Sequence, residues 1–251
     1  MKKAILIAVL GIFLSGYSQS DEAVIKSDSA SLKFHYKQLI IPAVLIGYGV
    51  AGNQIGELKS INEKLRDKIG HSEGHKATID NFTVLMPAVS VYALNAFGVK
   101  GKHDFHDRTV ILATSLALVS VTVYSLKSAT KIQRPDGSSH NSFPSGHTTN
   151  AFAGAEFLYQ EYKDQSVWYG VAGYAVATGT GFLRMYNNRH WLTDVAAGAG
   201  IGILSTKAAY WLYPYISKQL SKLGDHHGKT VSFVSPFYDG SNCGVNVVWV
   251  F

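Results

Sequence analysis

The apolar residues fall into six blocks, residues 39–52, 82–98, 109–126, 147–162, 168–183 and 192–213, separated by polar stretches edged with Gly, Asn, Asp or Pro. Blocks of this length, rich in Ala, Leu, Gly, Ser and Val, are too long for typical strands and predict six helices. Between the first and second, the charged residues 57–80 predict a solvated helix and a loop. The tail changes period: Thr230, Val231, Phe233 and Val234 precede a turn region from Pro236 to Gly244, and Val245, Val247, Trp249 and Phe251 then alternate. That pattern predicts a C-terminal β-hairpin over residues 229–251. At the other end, Lys2 and Lys3 precede an apolar run over residues 4–14 and a small, polar exit at Ser15, Gly16, Ser18 and Ser20. This is the pattern of a secretory signal peptide, residues 1–20, with an uncleaved anchor as the alternative. The expected fold is an all-α bundle of about six helices over residues 21–228, ending in the hairpin. A membrane-embedded bundle is the favoured setting. The weakest span is residues 39–52, about fourteen apolar positions against the ~20 needed to cross, with Pro42 among them.

Composition narrows the class. Of 251 residues, 47% are hydrophobic and 16% charged, which excludes a disordered chain and allows one sizeable core. A mean hydropathy of +0.06 is high for a solvated domain and low for a chain made wholly of lipid-facing helices. The single cysteine, Cys243, excludes an intramolecular disulfide framework and a cysteine-based zinc site. The net charge of +6 favours anionic partners. No Lys/Arg run of the nucleic-acid type is present, so phosphate-bearing small molecules or anionic lipid surfaces are expected, and not nucleic acid.

Three polar islands stand at the ends of the predicted helices. Lys127 and Arg134 lie seven residues apart, two helical turns, before Pro135. Ser142-Phe143-Pro144-Ser145-Gly146-His147 opens a helix, where free backbone N–H groups and the positive end of the dipole favour an anion. In the third island, Arg184 is followed by His190 and Asp194, four residues apart, so that a carboxylate can orient the imidazole. Each also has a structural reading: headgroup cations at a helix end, an N-cap with a satisfied histidine, and an aspartate on a helix dipole. Other histidines invite a metal reading, His71 and His75 around Glu73, and His103 and His106 beside Asp104 and Asp107. Gly70 and Gly74 interrupt the first set and the second lacks a third partner, so no metal is expected. Two aromatic groups, Trp168, Tyr169 and Tyr174, and Tyr210, Trp211, Tyr213 and Tyr215, fit a membrane-interface belt, with core packing as the alternative.

Taken together, the islands resemble the signature of the type 2 phosphatidic acid phosphatase superfamily, which includes lipid phosphatases, acid phosphatases and vanadium haloperoxidases. Lys127 with Arg134-Pro135, then Pro144-Ser145-Gly146-His147, then Arg184, His190 and Asp194 follow its order and spacing. Two departures are visible: Leu183 stands where the family usually has Ser, and the loop between Pro135 and Pro144 is shorter than usual. The resemblance implies a metal-independent phosphatase without cofactor, acting on a lipid phosphate. His190 would attack phosphorus to form a phospho-histidine, Asp194 would orient it, and His147 would protonate the leaving group. Lys127, Arg134, Arg184, Ser145 and Gly146 would bind the phosphate oxygens.

Two predicted helices separate the second and third islands, which returns both to one side of a membrane. If residues 39–52 do not span, that side is the periplasm, giving an envelope protein. The competing readings are a soluble periplasmic acid phosphatase or haloperoxidase with the same pocket, and a non-enzymatic anion-binding envelope protein.

Overall fold

A computed structural model describes residues 36–70, 78–225, 231–238 and 243–250. The expected signal peptide and the His71/His75 pair lie outside the described residues. Eight α-helices carry the fold: α1 (Ile40–Gly52), α2 (Gly56–Ile69), α3 (Asp80–Thr83), α4 (Met86–Ala96), α5 (Phe105–Thr130), α6 (Gly146–Tyr162), α7 (Val167–Tyr186) and α8 (Leu192–Asp225). The count exceeds the six apolar helices for two reasons, the first of which, a helix in the charged stretch, is as expected. The charged stretch forms a full helix, α2, whose axis bends 92° from the segment before it. The block at residues 82–98 is divided, because Pro87 sits in the first turn of α4, where its missing N–H costs nothing, and α3 ends before it. Helix α5 starts four residues before its apolar block, since Asp104 caps it by accepting from Asp107 N at 2.8 Å.

Two compact units divide the chain at Pro214. In the larger, α6 is buried on nearly every side and is the central helix. Its small residues Ala151, Ala153, Gly154 and Ala155 let α4 and α7 approach closely, while Phe157, Leu158 and Tyr162 join Val91, Ile111 and Tyr210 in the main core. Helix α1 lies on α8, where a Cβ at Gly49 would stand 2.6 Å from the carbonyl oxygen of Thr193, so only glycine permits that approach. The other unit contains the strands β1 (Val231–Tyr238) and β2 (Cys243–Val250), paired antiparallel with Val231 opposite Val250 and Tyr238 opposite Cys243. Residues 239–242 between them lie outside the described residues.

Two carboxylates are buried in the larger unit and fully engaged. Glu156 meets Lys207 Nζ at 2.6 Å, Gln160 Nε2 at 2.5 Å and the hydroxyl of Tyr174. Glu161 meets His103 Nδ1 at 2.7 Å and Tyr210 Oη at 2.6 Å. Tyr174 and Tyr210 are therefore core hydrogen-bond donors, which corrects the interface-belt expectation for them; Trp168 is 72% exposed, as such a belt requires.

Candidate active site

The three sequence islands converge at one end of the bundle, where α5 and α7 finish and α6 and α8 begin. Lys127 lies in the last turn of α5 and points at the carbonyl of Asn141, with that of Ser142 at 3.4 Å. Arg134 follows in the loop, Ser145 is the N-cap of α6 and Arg184 lies in the last turn of α7. Asp194 stands in the first turn of α8. Backbone bonds tie the pieces together: Ser145 N donates to Asp194 O at 3.1 Å, His190 N to Arg184 O at 3.3 Å, and Asp136 N to Asn188 O at 3.2 Å. Trp191 Nε1 donates to Gln133 O at 2.8 Å, closing the loop after α5 against the loop before α8.

His190 and Asp194 are both buried, at 3% and 0% exposure. Nδ1 of His190 lies 3.6 Å from Asp194 Oδ2, an ion-pair distance too long for a direct hydrogen bond. Ser142 bridges the gap: its hydroxyl donates to Oδ2 at 2.5 Å and lies 3.5 Å from Nδ1. Trp191 N donates to the same oxygen at 2.9 Å, so Oδ2 accepts two hydrogen bonds while Oδ1 is buried with no partner. Burial pushes the His190 pKa down to about 4, with Asp194 opposing the shift and Lys127 and Arg184 adding to it, so the ring is neutral near pH 7. With Nδ1 turned to the carboxylate, Nε2 is the nitrogen left to face a ligand.

The cations carry unmet donors. Nε of Arg134 and Nε of Arg184 are both buried without a hydrogen-bond partner. Burial, followed by the charges of Arg184 and Arg189, lowers the Arg134 pKa. At His147, burial and then Arg184 lower the pKa, while Asp80 raises it. The Ser145 hydroxyl accepts from Thr148 Oγ1 at 2.9 Å. Beneath the loop, Asn62 of α2 donates to Thr193 Oγ1 at 2.9 Å, and Arg66 lies 5.5 Å over the Trp191 ring. A void of ≈ 10 Å³ between α2 and His190 has room for about one water and none for a phosphate group.

Every candidate residue of the three islands is thus placed at this helix-end cluster. Three contributors had no role in the sequence reading. Ser142 stood inside the second island without a function; the signal was a hydroxyl next to Phe-Pro-Ser-Gly-His. Asp80 and Asn81 stood at the edge of the charged stretch, and their contacts come from residues 104 and 66 positions away. His103 and His106, considered for a metal, pair instead with Glu161 and Asp107, and no group of three metal-ligating side chains occurs among the described residues.

The cluster thus joins a buried histidine, a carboxylate at ion-pair distance and cations whose charges act on that histidine. Residues 108–218 match the model of the PAP2 superfamily. The match ends ahead of the strand pair, so the tail draws no support from it. Over 135 residues, 53% of this chain, the sequence is 42% identical to a lipid A 1-phosphatase of Porphyromonas gingivalis, of which it covers 30%. Over 77 residues, 31% of this chain, it is 35% identical to the bacitracin transport permease protein BcrC of Bacillus licheniformis, of which it covers 36%. The chain spans about a third of the length of these curated relatives. Among solved structures it is similar to Aquifex aeolicus LpxE, with TM-score 0.46 and 23% identity over 60% of this chain and 94% of that one. It is also similar to a transmembrane PAP2-type phosphatidylglycerolphosphate phosphatase from Bacillus subtilis, with TM-score 0.45 and 20% identity over 74% and 98%.

Proposed function

We propose that the protein is a metal-independent lipid phosphate phosphatase of the cell envelope, working through a phospho-histidine. The observation that carries this reading is His190, buried and neutral, with Nδ1 turned to Asp194 and Ser142 and the charges of Lys127 and Arg184 acting on the ring. Nε2 attacks phosphorus, a P–N bond forms, and the P–O bond to the alkoxide breaks as His147, entering the step as the imidazolium, gives that oxygen a proton and becomes neutral. Water then attacks the phospho-histidine, passing a proton to His147, and inorganic phosphate leaves. Lys127, Arg134 and Arg184, with the Ser145 hydroxyl and the Gly146 N–H, stabilise the charge on the equatorial oxygens. The helix start and three cations supply the electrostatics for which other phosphatases use a metal.

A lipid substrate is favoured by the surroundings. Helix α5 is 26 residues long and apolar enough to cross a membrane, and Lys127 sits in its last turn, at the level of headgroups. A cavity of ≈ 480 Å³ between α1, α6, α7 and α8 is lined by Ile41, Leu45, Phe152 and Ile203 together with the Glu156–Lys207 pair, and its apolar wall suits part of an acyl chain. Phe152 stands seven residues, about 10 Å along α6, from the Ser145 cap. Lipid A is the leading candidate, since a relative 42% identical over 135 residues is named a lipid A 1-phosphatase. Phosphatidate, phosphatidylglycerol phosphate and undecaprenyl diphosphate present the same monoester or pyrophosphate end. The site is proposed to face the periplasm.

A phosphate-release panel on the purified protein, in excess chelator, tests the reading with lipid A, phosphatidate, undecaprenyl diphosphate and a soluble aryl phosphate. Release is expected with a lipid and is expected to vanish in His190→Ala. Release that persists in His190→Ala ends the mechanism, and loss in chelator restored by a divalent cation ends the metal-free part. The aryl phosphate, added to intact cells, reports whether the site is reached without crossing the inner membrane.

A further inference from the structure

We propose that Asp80 and Asn81, on the short helix α3 and outside the three islands, are positioning residues of the site: Asp80 sets the guanidinium of Arg184 and Asn81 sets the ring of His147. The inference rests on the phosphatase reading and extends it to a fourth element.

Asp80 is 2% exposed, and its Oδ2 accepts from Arg184 Nη1 at 2.5 Å and from Asn187 Nδ2 at 3.4 Å. A guanidinium is planar with five donors in fixed directions, so anchoring one corner fixes where the others point. The buried Nε, which has no partner, is therefore aimed and not merely idle. A buried ion pair of this kind contributes little net stability, because desolvation offsets the attraction, which directs attention to orientation as its use. The next residue, Asn81, accepts through Oδ1 from His147 Nε2 at 3.0 Å, which selects the Nε2–H tautomer of the neutral ring. Helix α3 is itself pinned to α7: Thr180 Oγ1 donates to Thr83 Oγ1 at 2.8 Å, one turn before Arg184 on the same helix. Two contacts one turn apart hold α3 in register with the end of α7, so Asp80 and Asn81 reach the cation and the histidine together.

The charged groups facing His147 are Arg184 from α7, Arg134 from the loop and Lys127 from α5, all opposing its protonation, with Asp80 from α3 favouring it. Changing α3 therefore moves a titration that a purely structural helix would leave in place. The experiment compares wild type, Asp80→Asn, Asn81→Ala and Asn81→Asp in kcat, KM and pH profile by phosphate release, and follows the His147 resonance by NMR across pH. Asp80→Asn is expected to lower kcat roughly 10- to 100-fold through misplacement of Arg184, and to lower the His147 titration. Asn81→Asp is expected to raise that titration by about one pH unit and carry the alkaline limb of kcat with it, while Asn81→Ala leaves it near wild type and lowers kcat. Wild-type kcat in Asp80→Asn, or a His147 titration that does not move in Asn81→Asp, overturns the proposal. Asn81 is at the surface, so its variants decide the matter even if Asp80→Asn does not fold. The NMR titration needs no turnover: if wild type hydrolyses no ester, the phosphatase reading fails while this test still returns its own answer.

Discussion

Protonating His190 is the perturbation that separates this site from a surface histidine most sharply. The ring is buried, and its pKa lies at about 4 against an unperturbed 6.5. The free enzyme therefore keeps Nε2 unprotonated across the whole range in which an ordinary histidine would have lost half its nucleophile. The same shift has a stability consequence. Between pH 6.5 and about 4 the unfolded chain binds a proton at this residue and the folded one does not, so stability rises with pH over that window and is lost as pH falls through it. At 1.36 kcal/mol per unit the loss is about 3 kcal/mol. The assay is a pH profile of kcat/KM, which reports the free enzyme, from pH 3.5 to 8. The second ionisation of a phosphate monoester lies near 6, so two soluble aryl phosphates of different acidity are compared. A limb at the same pH with both belongs to the protein. An acid limb near 4 is expected, and a melting temperature that falls on acidification more steeply for wild type than for His190→Gln. An acid limb near 6.5 common to both substrates would falsify the buried, neutral nucleophile.

Ser142→Ala removes the 2.5 Å bond to Asp194 Oδ2 and leaves that oxygen with Trp191 N alone, while Oδ1 already lacks a partner. A lost hydrogen bond to a buried charge is worth about 1.5–3 kcal/mol, so kcat is expected to fall by roughly tenfold or more, and unchanged kcat would reduce Ser142 to space-filling. Glu156→Ala strands the ammonium of Lys207 in the core and is expected to cost about 3–5 kcal/mol by chemical denaturation. The double change Glu156→Gln with Lys207→Met should cost less than the single one, and a harmless single change would refute the buried pairing.

How much of this could be read from the sequence depends on the distance over which each relationship acts. Lys127 and Arg134, the Ser145-Gly146-His147 start and the His190–Asp194 pair each lie within a few residues of sequence and so can be read together, although Arg134 stands in the loop after α5 and His190 ahead of α8, off the helices whose spacing pairs them. The start of α5 was in principle as legible, through Asp104 and Asp107, but the polar His106, Asp107 and Arg108 separate Phe105 from the apolar block that opens at Thr109. Tyr174 and Tyr210 read as interface aromatics because their composition says nothing of partners; their hydroxyls answer carboxylates on α6, 18 and 49 residues away.

The site shows the same division within a few ångströms. His190 and Asp194 stand four residues apart, His190 just ahead of α8, yet their 3.6 Å separation is closed by Ser142, 52 residues from Asp194. Arg184 belongs to the third island, yet its plane is set by Asp80, 104 residues away, because a cation buried at a helix end needs an anion on one corner to present the others. Local spacing supplies the groups that react, and tertiary packing supplies the groups that aim them. A sequence signature that lists only the first kind will therefore identify the chemistry while missing residues that set its rate.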